Sequence, residues 1–216
     1  MDLTALRQEV CHVNRMLPAA GLVTMHSGNA SGLDRPSGRL VIKPSGVDYD
    51  RLTPEDLVEV DLETGQVIAS RLRPSVDLPH HLFLYRHLSG VAGIVHTHSN
   101  HATAFAAVGA PIPLCLTAIA DEFGAEIPCC PYVDNEGDHI GQAILKHRNL
   151  APAILLANHG VFAWGPSASA ALKAAVMTED VAKTVFLAMQ IGKPTTIPPV
   201  EADKWHQRYQ HRYGQE

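Results

Sequence analysis

Val91-Ala92-Gly93-Ile94-Val95-His96-Thr97-His98 reads as a β-strand, and its last residues carry the most informative pair in the chain. Side chains two apart on a strand share a face, so His96 and His98 aim two imidazoles at one point. A third ligand has to come from elsewhere. Asn158-His159-Gly160 offers one, at a tight turn after the apolar run Ala153 to Leu156. Three imidazoles that leave an open coordination position describe a catalytic rather than a structural zinc site. A His-x-His pair also arises by chance in a chain with 13 histidines, so ordinary core or surface roles compete with this reading.

On either side of this strand, helix and strand signals are mixed. Leu3, Leu6, Val10, Val13 and Leu17 recur at helical spacing until Pro18 and Gly21. Residues 22–43 predict two strands around the turn Asp34-Arg35-Pro36-Ser37-Gly38. Thr53-Pro54-Glu55-Asp56 is a helix start with Thr53 as N-cap, 58–68 a hairpin turning at Glu63-Thr64-Gly65, and 79–88 a helix. Beyond the strand, Ser99 stands where it would cap a helix to about Val108. Residues 114–117 and 127–132 are strand candidates, 138–147 is helical, and 153–156 and 161–164 are strands flanking the Asn158-His159-Gly160 turn. Ser167 opens the longest helix, to about Ile191, and Pro198-Pro199 precedes a polar helix over 201–212. Hairpins with helices laid on them indicate an α+β fold with a mainly antiparallel or mixed sheet. No repeat, low-complexity segment or linker divides residues 1–216, so one domain is expected.

Composition narrows the function. With 17 basic and 22 acidic residues the chain carries a formal charge of −5 and no block of Lys or Arg, which argues against a general nucleic-acid binder. At 46% hydrophobic and 18% charged residues it is an ordinary globular chain, not a disordered one. No run approaches the ~20 apolar residues that span a bilayer. MDLTALRQEV has neither a basic nor an apolar leader region. Cys11, Cys115, Cys129 and Cys130 show no CxxC spacing, which fits reduced thiols and a cytoplasmic location.

Three further segments have the character of anion sites. Lys43-Pro44-Ser45-Gly46 combines a cation, a hydroxyl and a flexible backbone at a strand end, and Ser27-Gly28-Asn29-Ala30-Ser31 is similar. Pro74-Ser75-Val76-Asp77 precedes a helix whose N-terminal N–H groups could meet an anion. Each alone reads equally as an ordinary turn, and Asp77 alone as a helix cap. His80 and His81 fall on a helix with one facing the core. His101 suits a helix start or a supporting role behind the ligands, and the remaining histidines show no partner.

Taken in order, GNAS, KPSG, PSVD, HTH and NHG resemble the class II aldolase family, which includes adducin head domains, fuculose-phosphate aldolases and ribulose-5-phosphate 4-epimerases. The resemblance covers nearly the whole chain. It looks closest to L-ribulose-5-phosphate 4-epimerase through LVIKPSGVDYDRLTPEDLVEVDLETGQV, GIVHTHSNHAT, HGVFAWG and the terminal RYGQ. It implies a three-layer αβα sandwich, a homotetramer with sites between subunits, and one Zn²⁺ per subunit (or Mn²⁺ or Co²⁺) on His96, His98 and His159 with Asp77. It implies phosphate binding by Gly28, Asn29, Lys43, Ser45, Gly46 and Ser75. Asp121, in Ala120-Asp121-Glu122, and Tyr213, in Arg212-Tyr213-Gly214, match the positions of an acid/base pair.

The activity so implied is C4 epimerisation of L-ribulose 5-phosphate to D-xylulose 5-phosphate, by C3–C4 cleavage, rotation of the aldehyde and re-addition. Two proton-transfer groups are then needed on opposite faces. An aldolase cleaving a ketose phosphate such as L-fuculose 1-phosphate is the alternative, and a non-catalytic adducin-like interaction module a second. Family aldolases carry glutamate where this chain has Asp77. The chain departs from the epimerase pattern in PSVD for PSSD, in Ile119 for a histidine, and in a shorter stretch from about 131 to 153.

Overall fold

The computed structural model describes residues 3–212. Eight strands form one sheet: β1 (Asn29–Asp34), β2 (Arg39–Ile42), β3 (Val58–Asp61), β4 (Val67–Ala69), β5 (Gly93–Thr97), β6 (Cys129–Cys130), β7 (Ala153–Leu156) and β8 (Gly160–Gly165). Their order is β4-β3-β2-β1-β5-β8-β7-β6, with every pairing antiparallel except β6 on β7. The strand that carries His96 is therefore central, between β1 and β8, and all five of its residues are buried.

Period-two alternation explains the layers. Val41, Val95, Leu155, Val161 and Ala163 enter one hydrophobic cluster, together with residues of α1 (Thr4–Ala19), α3 (Asn100–Ala107), α4 (Thr117–Phe123) and α6 (Ala168–Ile191). Their neighbours Leu40, Ile42, Ile94, Ile154, Phe162 and Trp164 enter a second cluster with α2 (Leu78–His87) and α5 (His139–His147). The sheet thus lies between two helical layers, an α+β sandwich of αβα type. α7 (Pro199–Arg212) buries Ala202 and hydrogen-bonds back to α4 through His206 Nδ1 and the Asp121 carbonyl, 2.8 Å apart. Among the described residues no helix is long and apolar enough to cross a membrane.

Several local expectations change. Residues 22–28 lie in turns and irregular backbone ahead of β1. Residues 114–116 are not a strand: Leu116 is the N-cap of α4, and only Ile112 makes a bridge, to Ile127. Thr53-Pro54 opens a single 3-10 turn, with the Asp56 carboxylate accepting from the Thr53 N–H and hydroxyl. Ser99 precedes α3 as expected, but its hydroxyl makes no cap. Glu179 of α6 caps that helix instead, accepting from the N–H groups of His101 and Ala102 at 3.0 Å each and from His101 Nδ1 at 2.8 Å. An N-cap supplied from 78 residues away could not be read locally.

Candidate active site

Strand register brings the first residues together. Asn29 on β1 stands opposite His96 on β5, and His96 opposite Phe162 on β8. The His96 ring stacks on Phe162 with centroids 4.5 Å apart. Its Nδ1–H donates to the Val161 carbonyl at 2.9 Å, which leaves Nε2 as the ring's bare lone pair. His98 follows two residues on. Its Nε2 is buried and has no hydrogen-bond partner among the described residues.

His159 enters from the β7–β8 turn. Asn158 turns the chain with φ +60°, and a Cβ at Gly160 would lie 2.4 Å from the Thr97 carbonyl oxygen and 2.5 Å from the His98 ring. Glycine is needed there to let His159 approach the other two. One ring nitrogen from each of His96, His98 and His159 lies within 4.8 Å of the others, and ring centroids are 4.7–5.1 Å apart. Burial pushes His96 down to about 3, against the pull of Asp77, and burial lowers His98 and His159 as well. Three imidazoles are therefore kept neutral, as metal ligands must be.

Asp77 is the N-cap residue of α2, yet its carboxylate caps nothing. Its Oδ2 accepts from the Asn29 amide at 2.7 Å and from the Ser75 hydroxyl at 3.4 Å. Burial works to raise its pKa, but the imidazoles of His96 and His81 and the Asn29 amide outweigh it and hold the carboxyl below its ordinary value. Asp77 lines the same pocket as the three histidines but is not one of their tight cluster.

The three anion-like segments converge on this pocket, which Gly28, Asn29, Lys43, Ser45, Gly46 and Ser75 all line. Ser45 N–H donates to the Arg73 carbonyl and Ser75 N–H to the Lys43 carbonyl, each at 3.0 Å, so the KPSG and PSVD segments are paired. Tyr49 ties in the third by donating to the Gly28 carbonyl at 2.7 Å. Gly28 itself has φ +109°, and a Cβ there would meet the His96 carbonyl oxygen at 2.7 Å. Lys43 also has a structural part. Its side chain is buried, with Nζ donating to the Val47 carbonyl at 2.8 Å and to the Pro44 carbonyl at 3.3 Å, and lying 4.7 Å from the Tyr49 ring centre. Burial lowers its pKa against the influence of Asp48. Lys43 braces the loop that follows it.

Asp121 is elsewhere. It lines a separate cavity with Thr117 and with Trp205, Arg208 and Tyr209 of α7. Tyr213 lies outside the described residues; α7 is described to Arg212, and its residues Trp205, Arg208 and Tyr209 line the Asp121 cavity. Sequence reasoning passed over the supports behind the pocket. Ser31 bonds His81 Nδ1 at 2.7 Å and Tyr85 OH at 2.8 Å, and His80 reaches Asn135. Two adjacent histidines on the apolar first part of α2 were the signal available for them.

The donor set fits a divalent cation. Three neutral imidazoles converge, one has a backbone-fixed tautomer, another a buried nitrogen with nothing to bind, and a carboxylate stands beside them. Such a set suits Zn²⁺, Mn²⁺ and Co²⁺ alike.

The chain belongs to the class II aldolase and adducin N-terminal domain family, whose model matches residues 8–186. Among solved structures it is similar to an L-fuculose 1-phosphate aldolase at 26% identity and TM-score 0.88, covering 97% of this chain and 98% of that one. It is similar to an L-fuculose-1-phosphate aldolase from Thermus thermophilus at 28% identity and TM-score 0.71, covering 88% and 97%. It is also similar to YgbL from Escherichia coli, a candidate aldolase/epimerase/decarboxylase, at 26% identity and TM-score 0.78, covering 94% and 98%.

Proposed function

We propose that this chain is a metal-dependent enzyme that cleaves, by a retro-aldol reaction, the carbon chain of a phosphorylated ketose. The observation that carries the reading is the trio His96, His98 and His159, with ring nitrogens within 4.8 Å, opening on the pocket where the KPSG and PSVD segments are paired. Similarity to two fuculose-phosphate aldolases supports cleavage as the outcome.

His96, His98 and His159 would hold the ion, with Asp77 beside it. When bound there, a divalent cation supplies Lewis-acid polarisation of substrate oxygens. Asn29 orients the Oδ2 of Asp77, leaving Oδ1 with no hydrogen bond to the described residues, free to take a proton or approach the ion. Backbone N–H groups of Gly46 and Val76, with the Ser45 and Ser75 hydroxyls, would receive the phosphate, and Lys43 adds its charge to the same pocket. A net charge of −5 repels a sugar phosphate at long range, so this attraction has to be local. Asp121 and Tyr213 would move protons in a neighbouring copy's site, within a homotetramer.

C4 epimerisation is the second reading, favoured by the shorter carboxylate of Asp77. One assay separates the two. Protein loaded with Zn²⁺ or Mn²⁺ is incubated with L-fuculose 1-phosphate and L-ribulose 5-phosphate, and products are followed by NMR. Stoichiometric release of free aldehyde supports cleavage. D-xylulose 5-phosphate without net aldehyde supports epimerisation. Turnover of no ketose phosphate, with no bound metal after purification, favours the adducin-like module.

A further inference from the structure

His80, on α2 three residues beyond Asp77, is 1% exposed. A buried imidazole ordinarily packs or bonds within its own layer. This one sends Nε2 outward to Oδ1 of Asn135, in the 131–138 segment between β6 and α5, at 2.5 Å. Nothing else satisfies it, since its Nδ1 is buried without a hydrogen-bond partner among the described residues. Because the Asn135 oxygen only accepts, Nε2 carries the proton and Nδ1 the lone pair. An orphaned buried nitrogen of this kind costs stability, so packing alone does not account for the arrangement.

The arrangement has one geometric result. With its oxygen pinned by His80, the Asn135 carboxamide cannot rotate freely, and its NH₂ end has a set direction. That NH₂ makes no hydrogen bond among the described residues, and Asn135 lines the same pocket as His96, His98, His159, Ser75 and Asp77. The 131–138 segment is itself held in shape: the Asp134 carboxylate receives the Glu136 N–H at 3.0 Å and His139 Nδ1 at 2.7 Å. A pre-aimed, uncommitted donor pair on the rim of a polar pocket is suited to an oxygen-rich ligand.

We propose that Asn135 is a specificity-determining residue that donates its carboxamide N–H to an oxygen of the sugar phosphate, and that His80 is its positioning residue. This rests on the ketose-phosphate reading given above. Asn135 is not one of the candidate metal ligands, so it discriminates by the presence of an acceptor rather than through the ion. A sugar lacking that acceptor leaves the NH₂ unpaired and binds less well.

The test uses full-length, metal-loaded protein and whichever of L-fuculose 1-phosphate and L-ribulose 5-phosphate the wild type turns over. Asn135→Ala is expected to raise KM about tenfold with kcat within about twofold, the mark of lost uniform binding. Asn135→Asp, which replaces the donor by a negative charge, raises it further. His80→Gln can still donate to Asn135 and stays near wild type, whereas His80→Leu reproduces the KM rise of Asn135→Ala. Bound metal is unchanged in all four, and the side-chain ¹⁵N resonance of Asn135 shifts when inorganic phosphate or substrate is added. An unchanged KM in Asn135→Ala overturns the inference and leaves the ketose-phosphate reading standing. A wild type that turns over neither sugar removes both. If His80→Leu fails to fold, Asn135→Ala and the ¹⁵N shift decide alone.

Discussion

The Nδ1–H of His96 donates to the Val161 carbonyl across 2.9 Å, so a backbone group of the neighbouring strand β8 sets the tautomer of the first candidate ligand. The sheet and the site are one construction here. The same strand pair that buries Ile94 and Val95 also brings His96 against His98 and His159.

Removing one ligand should therefore abolish metal retention rather than merely weaken folding. His96→Ala is expected to lower divalent-metal affinity by about 100-fold or more, given that losing a partner behind a ligand already costs ~10–100-fold. Competition with a chromophoric chelator measures this. Chelation of the wild type should abolish turnover, with recovery on adding Zn²⁺ or Mn²⁺.

Acidification should destabilise the metal-free protein. Burial brings His96 and His81 down to about 3 and lowers His98 and His159, whereas free histidine titrates near ~6.5. Between those limits the unfolded chain binds more protons than the folded one, so stability falls as pH drops from about 6.5 towards about 3. Urea midpoints at pH 7.5, 6 and 5 should decrease in that order. A midpoint that rises on acidification contradicts the assignment of neutral imidazoles.

Gly160→Ala probes the close approach of the start of β8 to the end of β5. The added methyl meets the Thr97 carbonyl oxygen at 2.4 Å, a rigid backbone atom, and the His98 ring at 2.5 Å. Destabilisation of about 1–3 kcal/mol is expected from the overpacking, together with weaker metal binding because His98 is displaced. Thermal unfolding and metal titration report the two effects separately.

Glu179→Ala should loosen the start of α3. It removes the acceptor for two backbone N–H groups and for His101, leaving donors unpaired at the helix N-terminus. About 1–2 kcal/mol of stability should be lost, as for a missing N-cap. Glu179→Gln keeps an acceptor oxygen and should recover part of it.

Asp121 lines its cavity with α7, away from the pocket of the three histidines, so its role is testable by mixing subunits. His96→Ala and Asp121→Asn should each be inactive. Oligomers assembled from both variants should regain activity, because some sites then combine an intact histidine trio with an intact Asp121 from a neighbour. Mixed oligomers as inactive as the parents would place Asp121 outside the reaction. Tyr213→Phe should reduce turnover without changing metal content.

Much of the architecture was legible because it rests on local periodicity. Leu40-Val41-Ile42 and Val161-Phe162-Ala163-Trp164 are apolar runs suited to strands buried on both faces, and successive residues enter alternate clusters. The His-x-His pair was legible for the same reason. Short segments were less so: Leu114 to Leu116 has strand-like composition, but tertiary packing makes it the approach to α4. The bracing role of Lys43 was not legible, since nothing local shows that its ammonium donates to the carbonyls of Pro44 and Val47.

The sequence by itself determined the residue types, the two-residue spacing of His96 and His98 at the end of β5, and the five motifs that carry the family resemblance. Only tertiary structure decided what those residues face. The β1–β5 register sets Asn29 beside His96, the Asn29–Asp77 bond turns a cap residue into part of the site, and the paired 43–45 and 73–75 segments complete the pocket. The cause is physical. Periodicity acts over a few residues, whereas the partners of His96, Asp77, His80 and Glu179 lie 65, 48, 55 and 78 residues away, where only the folded chain can bring them.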